Sequence, residues 1–288
     1  MTETHPPYQF NIGKIACTII NEGTRLATTD QLPQAFPGVP MEEMMKAIEE
    51  TGGEPIYNSL NILMLEVGQE IALVDVGFGI VETEGIGLLF GTLESLGISR
   101  DSITLILLSH LHGDHFNGLV DADGNLNFPN ARYVCAKDEW KGWMSDKALA
   151  AMPEERANGL KAKLLPIKDK LTLVKYDTEI IPGVTAIASK GHSPGHTSFL
   201  IESEGEEMIH LVDVLHRTFQ MRNPAWSIAF DTDKKKSAKT RREFLEEVAE
   251  ENMLTMFYHL PFPGLGYVEA DGDGFQWIPL DTVEVEDK

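Results

Sequence analysis

Cysteine is scarce in this chain: Cys17 and Cys135 are the only two among 288 residues. That count leaves no room for an iron–sulfur module. Both thiols lie in strand-like apolar contexts (Ile15 to Ile20, Arg132 to Ala136) and read as buried and free rather than as a disulfide. Positive charge is also short, with 24 basic residues against 45 acidic ones and a net charge of -21. Such an excess repels phosphate backbones, which excludes nucleic acid as a partner, and it argues against a polyanionic membrane surface. It weakly favours a site that attracts cations. No apolar run approaches the ~20 residues that a membrane span needs. The segment Met1 to Phe10 has no basic stretch followed by an apolar core, so it does not read as a secretory signal. The chain reads as soluble and cytoplasmic, and a secreted form with its signal removed would read the same. Composition breaks, linkers, low-complexity segments and short repeats are lacking too. The expectation is one domain over 1–288, with 1–55 as an N-terminal extension packed on it.

What is present alternates between short apolar runs and amphipathic ones. Residues 10–20 read as a first strand and Asn21 to Pro40 as loop. Met41 to Glu50 reads as a helix whose Met41, Met44, Met45 and Ile48 form a packing face. Leu60 to Val67 and Ile71 to Val76 read as a hairpin, Thr83 to Leu96 as a helix stopped by Gly97, and Ile103 to Ser109 as a buried strand. A helix is expected from Phe116 to Val120, a strand from Ala131 to Ala136, and helices over Asp138 to Ser145 and Glu154 to Leu164. Short strands follow at Leu171 to Val174, Val184 to Ala188, Ser198 to Glu202 and Met208 to Asp213. Then come an amphipathic helix (Lys234 to Glu250), a strand (Leu254 to Tyr258) and a last strand (Gln276 to Leu280). Two β-rich halves with helices attached suggest an α+β fold, two sheets packed face to face with helices outside.

The densest chemistry is His110-Leu111-His112-Gly113-Asp114-His115. It places four candidate metal ligands, with three of the chain's nine histidines, in six residues where a buried strand ends. His110 and His112 are two apart on an extended segment, so both side chains point the same way. Three other strand ends add His192, Asp213 and His259. Seven ligands exceed one tetrahedral zinc and suit two metals roughly 3.5–4 Å apart that share a carboxylate and a bridging hydroxide. Asp75, ending a buried strand, needs a partner and can accept a hydrogen bond from a ligand imidazole. One false match is set aside. Gly191-His192-Ser193-Pro194-Gly195 fits the serine-hydrolase elbow, but Pro194 lacks the N–H an oxyanion hole would use, and a strand rather than a helix follows.

Asp75, the run at 110–115, the loop Gly191 to His196, Asp213 and His259 together resemble the metallo-β-lactamase superfamily, over nearly the whole chain. The segments Ser189 to Thr197 and His259 to Gly266 look most like its methyl parathion hydrolase branch, close to the acyl-homoserine-lactone lactonases. The resemblance implies an αββα sandwich of two mixed sheets flanked by helices, and two divalent metal ions, zinc in most cases, with iron, manganese or cobalt as alternatives. It assigns His110, His112 and His192 to one ion, Asp114, His115 and His259 to the other, and Asp213 to both. His196 becomes a supporting residue. A tyrosine that contacts substrate in many of the lactonases is replaced here by His216. A homodimer through the N-terminal extension is a further expectation from the resemblance.

The function expected is a hydrolase in which two metals lower the pKa of a shared water. Asp114, Asp213 and His216 are the candidate catalytic residues, with Asp114 doubling as a proton shuttle. Phe116, Phe219, Trp226, Phe230 and Phe262 lie near the motifs and suggest an apolar pocket. No basic cluster stands in these loops, apart from Arg217 and Arg222. A small neutral hydrophobic lactone or ester fits, with side activity on phosphotriesters. A dedicated phosphotriesterase is the rival, and an iron oxidoreductase or non-catalytic metal-binding protein is the more remote one. An antibiotic-hydrolysing β-lactamase fits the ligand set less well, and the net charge opposes an RNA-processing nuclease.

Overall fold

A glycine interrupts the first apolar run. Strands β1 (Tyr8–Ile12) and β2 (Ile15–Ala27) form an antiparallel hairpin across Gly13-Lys14, where one strand over 10–20 is expected. Gly13 sits at φ +53, and a Cβ there would overlap the backbone of Ser203. The computed structural model describes residues 5–53, 55–81, 83 and 85–280. β2 continues through Ala27, across residues expected to be loop, because Gly23 to Ala27 pair with Leu60 to Ile56 of β3 (Ile56–Val67). Between them lie α1 (Leu32–Ala35) and α2 (Met41–Glu50). Met44 and Ile48 of α2 are buried against Phe36 and Phe219, so the methionine stripe packs along one edge and leaves Met41 and Met45 exposed.

β4 (Glu70–Val74) completes the expected hairpin. Helix α3 covers only Leu89–Ser95; Gly85 and Gly87, at φ +74 and +83, keep the preceding turn out of the helical region. β5 (Leu105–Leu108) is buried throughout and leads into α4 (Gly113–Phe116), which begins inside the histidine run rather than after it. β6 (Arg132–Ala136), α5 (Lys137–Met144), α6 (Asp146–Ala150), α7 (Glu154–Leu164) and β7 (Leu171–Val174) finish the first half. The second half comprises β8 (Thr178–Ile181), β9 (Val184–Ala188), β10 (Thr197–Ser203), β11 (Glu206–Val212), α8 (Lys234–Glu250), β12 (Leu254–Phe257), β13 (Leu265–Asp271) and β14 (Gly274–Pro279). The short α6 and the strands β8 and β13 have no clear apolar period in sequence; β13 ends in exposed Glu-Ala-Asp.

Two seven-stranded mixed sheets result, ordered β1 to β7 and β14 to β8. The apolar faces of both form one core, in which Ile62, Leu65 and Leu73 join Phe199, Met208 and Met256. Alternation within β11 shows the layering: Met208 faces this core, whereas Ile209 and Leu211 face Leu245 and Val248 of α8 on the outer side. The strand ends of β5, β11 and β12 meet where the sheets face each other, and Asn61 fastens that edge through its Nδ2, which donates to Leu260 O at 2.8 Å. No helix among the described residues is long and apolar enough to cross a membrane.

Candidate metal centre

The seven predicted ligands converge. Ligand atoms of His110, His112, His192 and Asp213 lie within 4.8 Å of one another, as do those of Asp114, His115 and His259, and those of Asp213, His216 and His259. Asp213 stands between the groups. One oxygen, Oδ2, is 3.2 Å from His192 Nε2 and 3.2 Å from His259 Nε2; Oδ1 is 3.4 Å from His115 Nε2. Asp213 follows Val212, a β-branched residue at φ +52, and such a backbone persists only where its surroundings impose it. The irregularity in β11 turns the carboxylate into the cluster.

Hydrogen bonds around the rim fix which ring nitrogen points inward. Nδ1 of His115 is 2.8 Å from Asp75 Oδ2, Nδ1 of His192 is 2.9 Å from Asp231 Oδ1, and Nδ1 of His259 is 3.1 Å from the Ser59 carbonyl. Nδ1 of His110 lies 3.0 Å from Ser109 Oγ, which itself donates to Asp75. Each of these rings therefore keeps its proton on Nδ1 and presents a bare Nε2. His112 is reversed, with Nδ1 inward at 2.8 Å from His192 Nε2. Inside the cluster, His110 Nε2, His115 Nε2 and Asp213 Oδ1 are buried without a hydrogen-bond partner. Buried lone pairs facing one another are costly unless a cation lies between them, so the donor set fits metal ions.

Electrostatics divide the cluster when no cation is present to displace the protons. Burial and the neighbouring rings hold His110 and His112 well below the usual histidine range, in the neutral form a metal requires. Burial works against charge on His115 and His192 as well, but adjacent carboxylates override it: Asp213, Asp114 and Asp75 lift His115, and Asp213 and Asp231 raise His192 to about 9. Despite its burial, Asp213 is held well below the carboxylate range by the surrounding imidazoles.

Three residues act on the ligands without belonging to the predicted set. Glu139 of α5 is fully buried and accepts from Leu111 N at 2.8 Å, Gly195 N at 2.6 Å, Ser193 Oγ at 2.7 Å and Trp143 Nε1 at 2.7 Å. It thereby ties the 110–115 segment to the 191–196 loop. Asp231 links His192 to the buried Arg241, whose guanidinium also donates to the carbonyls of Val214 and Pro224. Tyr258 donates to Asp114 O at 2.7 Å. Sequence offers no signal for the two acids beyond their charge, because their burial is set by distant segments.

His196 stays outside the ligand groups. Its Nε2 accepts from Asp213 N at 3.2 Å while Nδ1 pairs with Ser189 Oγ at 2.7 Å, so it supports the bridging segment. His210 is buried in β11, with Nδ1 3.2 Å from Met256 O. His5 stacks on Phe262. His216 is nearer the chemistry than a surface residue would be. Its Nε2 is 3.2 Å from Asp213 Oδ2, its ring stacks on His259, and burial brings its pKa to about 4.

The cluster opens on a cleft of about 430 Å³ lined by Phe78, Ile228, Phe230, Arg25, Arg156 and Arg217, with Asp114 and His216 at its base. Of the predicted pocket aromatics only Phe230 lines it. Phe116 is packed in the main core, Phe219 and Trp226 pack with α2, and Phe262 borders a separate cavity beside Trp277. Sequence proximity to a ligand does not give side-chain direction, and these rings turn to apolar neighbours. The basic cluster absent from the motif loops exists in space, assembled from β2, α7 and the segment after β11. Arg222 is not part of it and pairs with Glu50 and Asp271.

The family model of the metallo-beta-lactamase superfamily matches residues 58–259. The chain belongs to this superfamily. Among superfamily relatives, an N-acyl homoserine lactonase of Bacillus cereus is 28% identical over 168 residues, 58% of this chain; the match spans 60% of that relative's length. Another N-acyl homoserine lactonase, from a Bacillus species, is 27% identical over 229 residues, covering 73% of this chain and 84% of the relative. A similar solved structure is AidC, a dizinc quorum-quenching lactonase in complex with its product N-hexanoyl-L-homoserine. It is 29% identical, has a TM-score of 0.87, and the match covers 96% of this chain and 98% of AidC. A second is the hydrolase AbOPH of the β-lactamase superfamily, at 28% identity and TM-score 0.85, covering 97% and 99% of the two chains. The αββα sandwich expected from sequence is thus the superfamily fold, and the His/Asp cluster offers the donor groups of a dinuclear divalent-metal site.

Proposed function

We propose that this protein is a dinuclear metal-dependent lactonase of the N-acyl homoserine lactone type. The observation that carries this reading is the His/Asp cluster, in which Asp213 belongs to the group with His110, His112 and His192 and also touches His115 and His259, on an open cleft. The dizinc lactonase neighbour supports zinc as the metal and an acyl-lactone as the substrate. In this assignment His110, His112 and His192 would hold one ion and Asp114, His115 and His259 the other, with Asp213 available to both.

Bound divalent ions would supply Lewis acidity and a lowered pKa for water at neutral pH. The chain's own groups do the rest. Asp75, Asp231 and Ser59 keep the ligand rings in the tautomer that binds metal. Asp114, 25% exposed, can take the proton released by the attacking water and pass it to the alkoxide oxygen that leaves as the lactone ring opens. His216 is neutral at pH 7 and can donate a hydrogen bond to the lactone carbonyl or the leaving oxygen, the role the sequence resemblance gives to a tyrosine. Phe78, Ile228 and Phe230 give the cleft apolar walls for the rest of the substrate.

The test uses purified protein with its metal content measured. Wild type should hydrolyse acyl-homoserine lactones faster than aryl esters or a phosphotriester, with about two metal ions per chain. Asp213→Ala should lose metal and lactone hydrolysis together. Full activity without stoichiometric metal would sink the reading, and a phosphotriester as the best substrate would replace it with the phosphotriesterase alternative.

A further inference from the structure

The chain has eight arginines. Four are paired with carboxylates: Arg132 with Glu70, Arg222 with Glu50 and Asp271, Arg241 with Asp231, and Arg242 with Glu246. Arg100, away from the cleft, donates to Asn127 Oδ1 and lies over Phe90. Arg25, Arg156 and Arg217, the three that line the cleft, have no carboxylate in salt-bridge contact among the described residues. In a protein with 45 acidic and 24 basic residues, a carboxylate is the most abundant partner available, so three arginines without one on a single cleft stand out. The acids that line the same cleft, Asp114 and Asp213, already belong to the metal cluster.

Each guanidinium is held by something other than an anion. Arg25 lies over Phe78 at 6.0 Å from the ring centroid, and Arg156 over Trp143 at 5.1 Å. Aromatic faces hold a guanidinium while leaving its N–H edges open to another ligand. Arg217 is the most enclosed. Its Nη1 donates to Asn58 Oδ1 at 2.7 Å and to His216 O at 2.6 Å, while Nε is buried without a partner. Burial lowers its pKa to about 10, which still leaves it charged at neutral pH. These contacts aim Arg217 beside the reacting site: Asn58 precedes Ser59, the partner of His259, and His216 touches Asp213.

We propose that this cleft contains an anion subsite, so that the preferred substrate is a lactone or ester bearing a second, negatively charged group away from the scissile bond. A carboxylate or a phosphate matches the guanidinium fork. This rests on the hydrolase reading above and goes beyond it: among lactones and esters, one carrying such an anion is turned over better than a simple, neutral acyl-homoserine lactone.

The experiment compares matched ligands on the metal-loaded enzyme. Calorimetry with hexanoate, adipate and 6-phosphonohexanoate reads the second anion separately from turnover, and kcat/KM is measured for aryl hexanoate and the aryl half-ester of adipate. The dianions should bind about tenfold tighter than hexanoate, and the charged ester should be favoured similarly, with the advantage shrinking as salt rises. Arg217→Gln should erase most of that preference. Arg25→Gln and Arg156→Gln, at exposed positions that tolerate change, should each reduce it, which keeps the test valid if Arg217→Gln fails to fold. The stronger dianion identifies carboxylate or phosphate as the natural group. Equal binding of all three, including no measurable binding, would overturn the subsite, as would Gln variants that slow both esters equally. Tighter adipate binding with no lactone or ester turnover would retain the subsite and remove the hydrolase reading. Lactone turnover without that binding difference would do the reverse.

Discussion

Asp75 orients His115 directly, at 2.8 Å from Nδ1, and reaches His110 through Ser109, whose hydroxyl donates to the same carboxylate oxygen at 2.6 Å. One buried acid at the end of β4 thus sets the tautomer of a ring in each half of the metal site. Its backbone, at φ +65, aims the carboxylate back towards β5. Asp75→Asn should lower affinity for both ions by about 10–100-fold, whereas Ser109→Ala should weaken chiefly the His110 half. Chelator competition followed stepwise checks this; unchanged affinity in Asp75→Asn would mean the contact does not orient the ligands.

Glu139 makes a second prediction. Glu139→Ala leaves four donors, from Leu111, Gly195, Ser193 and Trp143, buried without their acceptor. The cost should be on the order of 3–5 kcal/mol, read from urea unfolding, together with looser metal retention. Ser193→Ala removes a single donor and should cost about 1 kcal/mol. A Glu139→Ala protein as stable as wild type would show that the two ligand loops hold without this tie.

Removing metal should destabilise the fold. A ligand bound only by the folded state, at about a thousand times its Kd, contributes about 4 kcal/mol. For a chain of this size that corresponds to a melting point lower by on the order of 10 °C after chelation, restored by zinc. An unchanged melting point would place the cluster's stability in the protein alone.

Glu22 gives the fold a pH dependence away from the metal. Its buried carboxylate accepts from Phe78 N and Leu89 N, and burial outweighs those bonds to raise its pKa from 4.5 to about 7. A folded-state pKa above the unfolded one means that the native protein binds the extra proton between about pH 4.5 and 7. This contribution to stability is greatest below that window and declines as pH rises through it, by no more than about 3 kcal/mol. The difference in unfolding free energy between wild type and Glu22→Gln, measured from pH 5 to 8, should show that slope. A flat difference would refute it.

The two thiols should be inert. Burial pushes Cys17 up to about 12 and Cys135 well above its usual range, which leaves almost no thiolate at pH 8. A thiol reagent should label neither residue until urea unfolds the protein, and both afterwards.

The metal chemistry was legible in sequence because its signal is local. Four ligands follow one buried strand, and His192, Asp213 and His259 each lie at a strand end with a readable apolar run before them or a turn around them. The sandwich was legible because most strands carry their own alternation. Local pattern failed at Gly13, where a tight turn hides in an apolar run, and at β8 and β13, whose pairing comes from neighbours rather than from side-chain period.

By itself, the sequence determined which atoms could bind metal and the kind of fold that brings strand ends together, since ligand type and strand periodicity are properties of short segments. Only the tertiary structure decided how those ligands are held and what they face. Glu139 and Asp231 acquire roles through burial against remote segments, and Arg25, Arg156 and Arg217 become one surface only after β2, α7 and the end of β11 are packed together. The pocket aromatics show the same limit, because a ring's direction is fixed by the neighbours it packs against and not by its distance along the chain from a ligand.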